Sequence, residues 1–568
     1  MRKGFFARLA VVNIRKNKQI YVPYILACLF NVAMLYMMLF INHNAGMKTI
    51  RHSGDVLMIT TMGVGVIVIF SFIFLLYSNS FLMKRRQKEL GLYNILGLEK
   101  KHISRVMMLE NLFSALISFV GGILVGILGS KLALLLLLKL IKVPASFGFE
   151  DKFRYYSGAI RRDMGNLLKW LLLAVVVGCI AGAFSTLFSF VLKAVTGYRK
   201  AHLWTFFLLP LFGLCIVFLY EKFGKDDGGT NQVLSTVLSQ DDVPWRSGPL
   251  IFISTALTHL AGGSAGREGA AIQLGGSIAN LLGRWIHLDE EDRHVIVMCG
   301  MSAAFSALFG TPMAAAVFSL EVVSVGVMYY TALMPCMIAS LTASRFAAGM
   351  GVTPEAFHVV NIPALSLETG LKMGVVALGC AVISIVFCII LNETARFYGQ
   401  FFSNKYARVV AGAVLVIFIT LILGTTDYMG AGAELIEKAV ETGDTDYMAF
   451  FWKMLLTALT MKAGFRGGEI VPSFCVGATF GCMAGQLIGL SPSLCAACGM
   501  AAVFCGVTNC PITSILIAFE MFGFKGVSFY LIAVSISYAA SGYYGLYKDQ
   551  TIVYSKYKAK YINKHTKM

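Results

Sequence analysis

The chain is poor in charged residues, which make up only 14% of its 568 residues. Acidic residues are the scarcer class, 30 against 48 lysines and arginines, while hydrophobic residues account for 57% of the chain. With a mean hydropathy of +0.73, such a chain cannot bury its apolar surface inside a water-soluble core. The composition therefore excludes an ordinary soluble domain and predicts a multi-pass protein of the cell membrane.

Several kinds of chemical site are also missing from the sequence. No group of histidine, cysteine and carboxylate residues has the spacing of a metal site, and neither a nucleophile–base set nor a phosphate-binding loop is present. The 13 cysteines lie mostly within apolar runs, so they offer no disulfide framework, and the pair Cys495 and Cys498 is interpreted as packing. We therefore expect no enzyme activity, no metal and no cofactor.

The positive charge of the chain does not indicate a nucleic-acid partner. The formal net charge is +18, and basic residues cluster beside apolar runs at residues 15–18, 84–88 and 556–564. Lysine and arginine beside membrane spans follow the positive-inside rule, which explains these clusters better than nucleic-acid binding does. Lipid is therefore the expected surrounding of the chain.

An internal duplication is the strongest pattern in the sequence. The triplet Cys-Gly-Met occurs at residues 299–301 and again at 498–500. In each copy a proline follows the cysteine by 13 residues and a glutamate follows it by 22 residues. The prolines are Pro312 and Pro511, and the glutamates are Glu321 and Glu520. In a membrane protein, duplicated halves interrupted by glycine and proline indicate a transporter with its binding site between the halves.

Residues 1–141 form a first region with three apolar stretches, each long enough to cross about 30 Å of hydrocarbon. The stretches lie at residues 21–41, 56–83 and 112–141. A basic amphipathic segment at 84–103 is expected at the cytoplasmic face. The region resembles the start of an FtsX-type ABC permease in LAVVNIRKNK, in KRRQKELGLYNILGLEKKHISR and in the helix that follows. We therefore assign residues 1–150 to a permease-like fragment with about three transmembrane helices.

The charges of the two regions predict conflicting topologies. The basic clusters at 15–18 and 84–88 place the start of the first region inside, so three spans leave residue 142 outside. Basic residues 161–162, in contrast, place the start of the next helix inside. Either the third stretch breaks at the glycine pair 121–122 into a re-entrant pair, or one early segment does not span. A third explanation is that a gene rearrangement left the fragment as an inert anchor.

Three glycine-rich segments mark the second region. They are GGTNQV at 228–233, GGSAGREGA at 262–270 and GGEIVP at 467–472. Helices that begin within the membrane at such segments present unpaired N–H groups and a positive dipole end to a buried site, which suits an anion. In this order the segments resemble the anion-coordinating signatures of the CLC family of chloride channels and proton-coupled antiporters, with GREG the most specific match.

This second resemblance covers residues 165–557 and implies an all-α, inverted-repeat fold of broken helices. It also implies a homodimer, one anion pathway per subunit and a transport domain at residues 151–568. Glu268 becomes the gating glutamate, whose carboxylate fills an anion site when ionised and leaves it when protonated. The alternative for Glu268 is a local pair with Arg267. Anion contacts are implied for Thr230, Asn231, Gly269, Glu469, Ile470 and Tyr547.

Three departures from the family pattern decide the expected substrate. Thr230 and Asn231 stand where chloride-transporting members have a serine, and Glu469 occupies a position that is ordinarily apolar. Val322 stands where many exchangers carry a proton-relay glutamate, with Glu321 one residue before it. The combination looks like the fluoride-exporting branch, since fluoride is small and strongly hydrated and needs good hydrogen-bond donors. Glu268 and a transiently protonated Glu469 are then expected to carry the protons.

The resemblance thus implies a proton-coupled fluoride exporter, with fluoride or chloride and protons as its transported ions. The alternative is a chloride channel or chloride/proton exchanger of the same fold. A third class is a signalling or interaction subunit in which residues 1–141 recruit an ABC ATPase. For Glu469, the alternative is a helix-terminal carboxylate satisfied by the helix dipole. Glu321 and Glu520 are expected to pair at helix ends and to take no part in transport.

Overall fold

A computed structural model describes residues 5–42, 53–86, 89, 100–140, 149–225, 227–238, 243–558 and 560–566. These residues are mostly helical, as the sequence predicts. The chain divides into two compact units, Met1–Ile160 and Arg161–Met568. The division falls inside one helix, Phe149–Ala201, about ten residues after the boundary that the sequence suggested at 150. The assignment of separate functions to the two parts stays a prediction.

The first unit contains the three predicted apolar stretches as three long helices. Its described helices are α1 (Phe5–Lys16), α2 (Lys18–Asn42), α3 (Ser53–Arg85) and α4 (Lys100–Leu140). Helix α4 runs unbroken through Gly121 and Gly122, so the predicted re-entrant break is wrong. The glycines serve packing instead, because a Cβ at Gly121 would come within 2.8 Å of Leu29, and one at Gly122 within 2.6 Å of Val32. Small residues of this kind allow membrane helices to approach closely.

A buried polar cluster joins the helices of the first unit. The carboxylate of Glu110 on α4 accepts hydrogen bonds from Asn13 Nδ2 at 2.7 Å and from the hydroxyl of Tyr21 at 2.8 Å. Arg86, directly after α3, forms an ion pair with Glu110 and donates to the Tyr21 hydroxyl. All four side chains are buried. Since a buried charge is costly without partners, this complete set fixes how the helices pack.

The second unit is a larger helical assembly that contains all three glycine-rich segments. Its helices are α5 (Phe149–Ala201), α6 (Leu209–Phe223), α7 (Thr230–Leu238), α8 (Ser247–Leu260), α9 (Glu268–Trp285), α10 (Glu290–Phe309), α11 (Pro312–Glu321), α12 (Leu333–Gly349), α13 (Leu367–Phe401), α14 (Lys405–Leu423), α15 (Ala433–Glu437), α16 (Ala449–Ala463), α17 (Ile470–Ile488), α18 (Pro492–Thr508), α19 (Pro511–Phe522) and α20 (Val527–Ala540). Short 3-10 turns cover Leu203–Leu208 and Tyr330–Ala332, and a π turn covers Lys438–Thr442.

The internal duplication appears as two equivalent runs of four helices. Helices α9 to α12 recur in the same order as α17 to α20, and the glycine of each Cys-Gly-Met triplet lies on the second helix of its run. A Cβ at Gly300 would overlap the backbone of Gly275 on α9, and a Cβ at Gly499 would overlap that of Gly477 on α17. The repeated triplet is therefore a packing device that brings two helices into backbone contact.

Glu321 and Glu520 join the two repeats by capping each other's helices. The carboxylate of Glu321, at the end of α11, accepts from the N–H groups of Ile512 at 3.0 Å and Thr513 at 2.8 Å, at the start of α19. The carboxylate of Glu520, near the end of α19, accepts from the N–H groups of Met313 and Ala314, both at 2.9 Å. Carboxylates satisfy the unpaired donors of a helix start and oppose its dipole. The expected pairing at helix ends is therefore present.

Removal of either cap is expected to destabilise the second unit. In Glu321→Ala or Glu520→Ala, two N–H groups lose their acceptor, which costs about 1–3 kcal/mol for a buried group. We expect both variants to lower the thermal unfolding midpoint in detergent by several degrees, to a similar extent. Glu393→Ala, which removes an exposed carboxylate paired with Arg396, is the control and should leave the midpoint unchanged. Unaltered midpoints in both cap variants would contradict the structural role.

Seven helical stretches among the described residues are long and apolar enough to cross a membrane. They are Lys18–Phe40, Lys101–Ser130, Met164–Ala201, Leu203–Phe223, Leu367–Phe401, Lys405–Leu423 and Ile470–Ile488. Shorter apolar helices accompany them, including Thr61–Phe74 of the first unit and four helices of the repeats. Helices too short to span are tolerated where protein surrounds them. The explanation that one early segment does not span stays a prediction.

A small sheet follows the last helix of the second unit. Strand β1 (Ser324–Val325) pairs in parallel with β2 (Thr551–Tyr554), which pairs antiparallel with β3 (Tyr561–His565). The side chain of Gln550 donates to the carbonyl of Val322 at 2.8 Å and to that of Thr508 at 2.7 Å. These contacts tie the C-terminal segment to the ends of α11 and α18 and thereby fix the position of nearby Tyr547.

Candidate anion site

The starts of two helices meet at the centre of the second unit. The loops before α9 and α17 pair through reciprocal hydrogen bonds, from Gly266 N to Gly468 O at 2.7 Å and from Gly468 N to Gly266 O at 2.8 Å. A Cβ at Gly468 would come within 2.7 Å of Gly269 N and 2.9 Å of Glu268 Oε2. The contact therefore requires glycine, which explains the shared glycine-rich pattern of the two loops.

Glu268 is fully buried, and its carboxylate bridges the two helix starts. Oε1 accepts from the N–H of Arg267 at 3.0 Å, before α9, and Oε2 accepts from the N–H of Val471 at 3.0 Å, in the first turn of α17. The guanidinium of Arg267 pairs with Glu355, so the local contact of Glu268 with Arg267 runs through the backbone N–H and not through an ion pair. A carboxylate held by the N–H groups of two helix starts occupies a position that suits an anion.

Further donors at this centre have no acceptor among the described residues. They are the N–H groups of Gly269, in the first turn of α9, and of Ile470, at the start of α17. Buried backbone N–H groups are rarely left unpaired, and a helix start is where anions find such donors. Both residues thus lie at helix starts with free donors, and their predicted contact with an anion stays a prediction.

The first glycine-rich segment brings α7 to the same place. The hydroxyl of Thr230 donates to the carbonyl of Gly269 at 3.3 Å. The side chain of Asn231 is half-buried, and its Oδ1 has no hydrogen-bond partner in the described part of the chain. Since the oxygen and nitrogen of an amide can exchange places by rotation, an unpartnered Asn231 can turn its NH₂ group toward an anion.

Glu469 lies at the N-cap of α17, but its carboxylate does not cap the helix. Oε1 accepts from Lys462 Nζ at 2.7 Å, and both side chains are partly buried. The alternative considered from the sequence, a carboxylate satisfied by the helix dipole, stays open, since Glu469 lies at the helix start. Lys462 is a residue that sequence reasoning missed. Its signal is a lysine near the end of the apolar helix α16, seven residues before a glutamate.

Tyr547 is buried close to both carboxylates. Its carbonyl accepts from Thr566 Oγ1 at 2.6 Å, which fixes the backbone. Its hydroxyl has no hydrogen-bond partner among the described residues and interacts electrostatically with Glu469 and Glu268. Val322 is buried too and presents only its carbonyl, to Gln550. Tyr547 is thus placed near the site, whereas Val322 brings no titratable group.

Two cavities lie among the described residues of the second unit. We call the first the Arg199 cavity; it has a volume of about 520 Å³, and its lining includes Arg199, His259, Arg267, Glu355, Gly430 and Val471. We call the second the Arg466 cavity; it has a volume of about 770 Å³, and its lining includes Tyr220, Asp227, Lys405, Arg408, Gly464 and Arg466. Because Arg267 and Val471 donate to Glu268 and line the first cavity, Glu268 lies at the end of that cavity.

The chain matches two family models. The model described as voltage gated chloride channel matches residues 212–542, and the model described as FtsX-like permease C-terminal matches residues 61–158. The first match covers more than half of the chain and includes all three glycine-rich segments. The second begins after the opening motif of the permease resemblance and ends inside α5, beyond residue 141.

Similar proteins and structures have related names. A chloride/fluoride channel protein of Pseudomonas syringae pv. tomato is 34% identical over 400 residues, 69% of this chain and 88% of the relative. The H(+)/Cl(-) exchange transporter ClcA of Vibrio cholerae is 24% identical, over 62% of this chain and 81% of the relative.

Solved structures show the same fold. A crystal structure of a CLC-type fluoride/proton antiporter superposes with a TM-score of 0.65 at 34% identity, covering 68% of this chain and 98% of that one. A slow cyanobacterial Cl-/H+ antiporter shares the fold with a TM-score of 0.58 at 18% identity, over 66% and 94% of the two chains. The chain, a multi-pass membrane protein with an FtsX-like segment near its start, therefore belongs to the CLC family of channels and transporters.

Proposed function

We propose that the chain exports fluoride in exchange for protons. The observation that carries the proposal is the position of Glu268, whose buried carboxylate occupies the meeting point of two helix starts, where an anion would also bind. Carboxylate and anion compete for the same donors. When Glu268 takes up a proton it no longer needs those donors, so an anion can replace it. Anion movement is then linked to proton movement.

The donors at the centre favour fluoride over chloride. Fluoride is the smaller ion and the stronger hydrogen-bond acceptor, so several short contacts must replace its water shell. The structure offers the free N–H groups of Gly269 and Ile470 and the unpartnered amide of Asn231. The hydroxyl of Thr230 lies beside Gly269, to whose carbonyl it donates at 3.3 Å. Two similar proteins at 34% identity carry fluoride in their names, which supports the same assignment.

Glu469 and Lys462 supply the second part of the proposed mechanism. An ionised Glu469 beside an anion would repel it, but Lys462 Nζ balances that charge at 2.7 Å. The pair therefore allows a carboxylate to stay close to the path without excluding fluoride. We assign Glu469 as the second proton carrier, because the position of the missing relay glutamate is taken by the apolar Val322. Lys462 holds the Glu469 carboxylate in place between transfers.

Purified chain in liposomes tests the assignment of the ion. Vesicles are loaded with fluoride or with chloride, and ion-selective electrodes record efflux after the membrane potential is clamped with potassium and valinomycin. We expect rapid fluoride efflux and much slower chloride efflux. The hydrogen-bond donors of the site compensate the smaller ion better for the loss of its water shell. Equal rates for both ions would favour the alternative, a chloride channel or chloride/proton exchanger of the same fold.

The amide of Asn231 is expected to set the preference between the two halides. Asn231→Ser shortens the side chain and removes the NH₂ donor, so fluoride efflux should fall while chloride efflux rises, changing their ratio by about tenfold. The rates are compared in the same liposome assay. Thr236→Ser is the control, since Thr236 lies on the same helix with its hydroxyl bonded to Gln232 O at 2.8 Å. An unchanged ratio in Asn231→Ser would exclude a role for the amide in selectivity.

The remaining assignments follow from the family resemblance. We propose residues 151–568 as the transport domain, acting as a homodimer with one pathway per subunit, and residues 1–150 as a permease-like fragment. The family is one of channels and transporters, which supports the assignment of no enzymatic reaction. Recruitment of an ABC ATPase by residues 1–141 stays a prediction.

A further inference from the structure

We propose that Arg199 forms a second anion site, at the inner end of the Arg199 cavity, which takes a small inorganic anion such as fluoride. The inference deepens the proposed function and rests on it, since the site would hold the same ion at the next step of its path. It is separate from the position of the Glu268 carboxylate, because Arg199 lies at the end of α5, whereas Glu268 is held by α9 and α17.

The side chain of Arg199 is buried and has spare donors. The residue is 6% exposed, and its one hydrogen bond runs from Nη1 to the carbonyl of His259 at 3.1 Å. No carboxylate forms an ion pair with it in the part of the chain that the structure describes. A guanidinium has five N–H donors, so most of its capacity is unused. A buried arginine of this kind is costly unless a partner binds it.

The loop beside Arg199 is shaped to admit the guanidinium. Gly430 has a φ of +64°, and a Cβ there would come within 3.1 Å of Arg199 Nη1 and 3.5 Å of Nη2. Any larger residue would both strain the backbone and crowd the guanidinium. The glycine therefore leaves room at the two nitrogen atoms that an anion would contact.

A second buried cation is attached to the same loop. Lys453 is fully buried, and its Nζ donates to Gly430 O at 2.7 Å, Tyr428 O at 3.0 Å and Ser264 Oγ at 3.1 Å. All three acceptors are uncharged, and the carboxylate that acts on Lys453 electrostatically is that of Glu268. Because its three donors are used, Lys453 contributes electrostatic attraction and Arg199 contributes the direct contacts.

The other charges around the cavity balance each other. Arg267 pairs with Glu355, and Lys200 pairs with Glu434. Lys193 and Asp427, which complete the charged lining, are opposite in sign. The sum leaves two cations, Arg199 and Lys453, near the single carboxylate of Glu268, so an excess of positive charge remains among the described residues. A bound anion would supply the missing negative charge, which identifies the class of ligand.

The location gives the site its role in transport. Arg267 and Val471, whose N–H groups hold the Glu268 carboxylate, also line the Arg199 cavity. An anion that leaves the centre on this side therefore meets Arg199 next. Basic residues 161–162 favour the cytoplasmic side for that part of α5, so its end at Ala201 is expected outside. Arg199 would then receive exported fluoride and hold it until Glu268 returns to its position.

Fluoride binding and transport by Arg199→Gln test the proposal. Sodium fluoride is titrated calorimetrically into the detergent-solubilised full chain at constant ionic strength, and liposome flux is measured against fluoride concentration. We expect Arg199→Gln to weaken one fluoride-binding event by about tenfold and to raise the apparent KM for fluoride by a similar factor. Lys200→Gln, which removes the same charge from the same cavity at a side chain already paired with Glu434, should leave both values unchanged.

Two further variants and results separate the possible failures. Arg199→Lys keeps the charge and is used if Arg199→Gln does not elute as a single folded species. We expect Arg199→Lys to fold and to show a smaller increase in the KM for fluoride. Wild-type binding and KM in a folded Arg199 variant would overturn the site while leaving the fluoride assignment intact. Failure of the unmodified chain to move fluoride, with fluoride binding still dependent on Arg199, would instead overturn the proposed function and leave the site standing.

Discussion

Glu268→Gln is expected to abolish proton movement coupled to fluoride. Glutamine has the shape of the protonated side chain but cannot release a proton, so the step that returns a carboxylate to the two helix starts is lost. Loss of a proton-transferring group typically costs about a hundredfold or more in rate. We expect fluoride-driven proton uptake into liposomes to fall by at least that factor, as recorded by a pH electrode in a weakly buffered solution.

The matched control for this variant is Glu434→Gln. Glu434 also lines the Arg199 cavity, but its exposed carboxylate pairs with Lys200 and lies away from the helix starts. Its neutralisation should leave proton uptake near the wild-type rate. Coupled proton uptake that persists in Glu268→Gln at more than a tenth of the wild-type rate would show that the gating carboxylate is another residue.

Lys462→Met is expected to produce the second large loss. The substitution leaves the partly buried carboxylate of Glu469 without its cation, beside the path of an anion. Breaking such a pair by removing one partner is strongly unfavourable, and the unbalanced negative charge repels fluoride, so fluoride flux should fall by at least about tenfold. The measurement is initial fluoride efflux from liposomes, with protein amounts matched by quantitative gel analysis.

A double-variant cycle shows whether Lys462 acts through Glu469. In Lys462→Met with Glu469→Gln, no unpaired charge remains, so fluoride flux should recover relative to Lys462→Met alone, while proton coupling stays impaired because Glu469 can no longer carry a proton. Independent, multiplicative losses in the double variant would mean that the two residues do not act as a pair. Lys462→Arg keeps the charge and should retain most of the flux.

The repeats and the central glutamate could be predicted because their signals are local. Cys-Gly-Met recurs with constant spacing to a proline and a glutamate, and the structure converts it into two equivalent helix pairs with glycine contacts. Glu268 stands between glycines at the start of an apolar run, which is the pattern of a helix that begins inside the membrane. The reciprocal contacts of Glu321 and Glu520 followed from their equivalent positions in the two copies.

The cations around the site could not be predicted in the same way. Arg199 on α5 and Lys453 on α16 lie 60 and 23 residues from the backbone carbonyls of His259 and Gly430 that they contact. Lys462 lies only seven residues before Glu469, but at the end of a different helix. In the sequence each resembles a basic residue at the end of an apolar run, which usually reaches toward lipid headgroups. The glycine pair 121–122 misled for a related reason, since glycine permits both helix breaks and close helix contacts, and only the partner helix distinguishes them.

The most direct test of coupled fluoride–proton exchange is uphill proton movement driven by fluoride alone. Liposomes containing the full chain are loaded with fluoride, diluted into fluoride-free buffer at equal pH, and clamped to zero membrane potential with potassium and valinomycin. An exchanger must take up protons as fluoride leaves, so the external pH should rise, and the rise should vanish in Glu268→Gln and be far smaller with chloride. Fluoride efflux with no change in external pH would show a passive channel and contradict proton coupling.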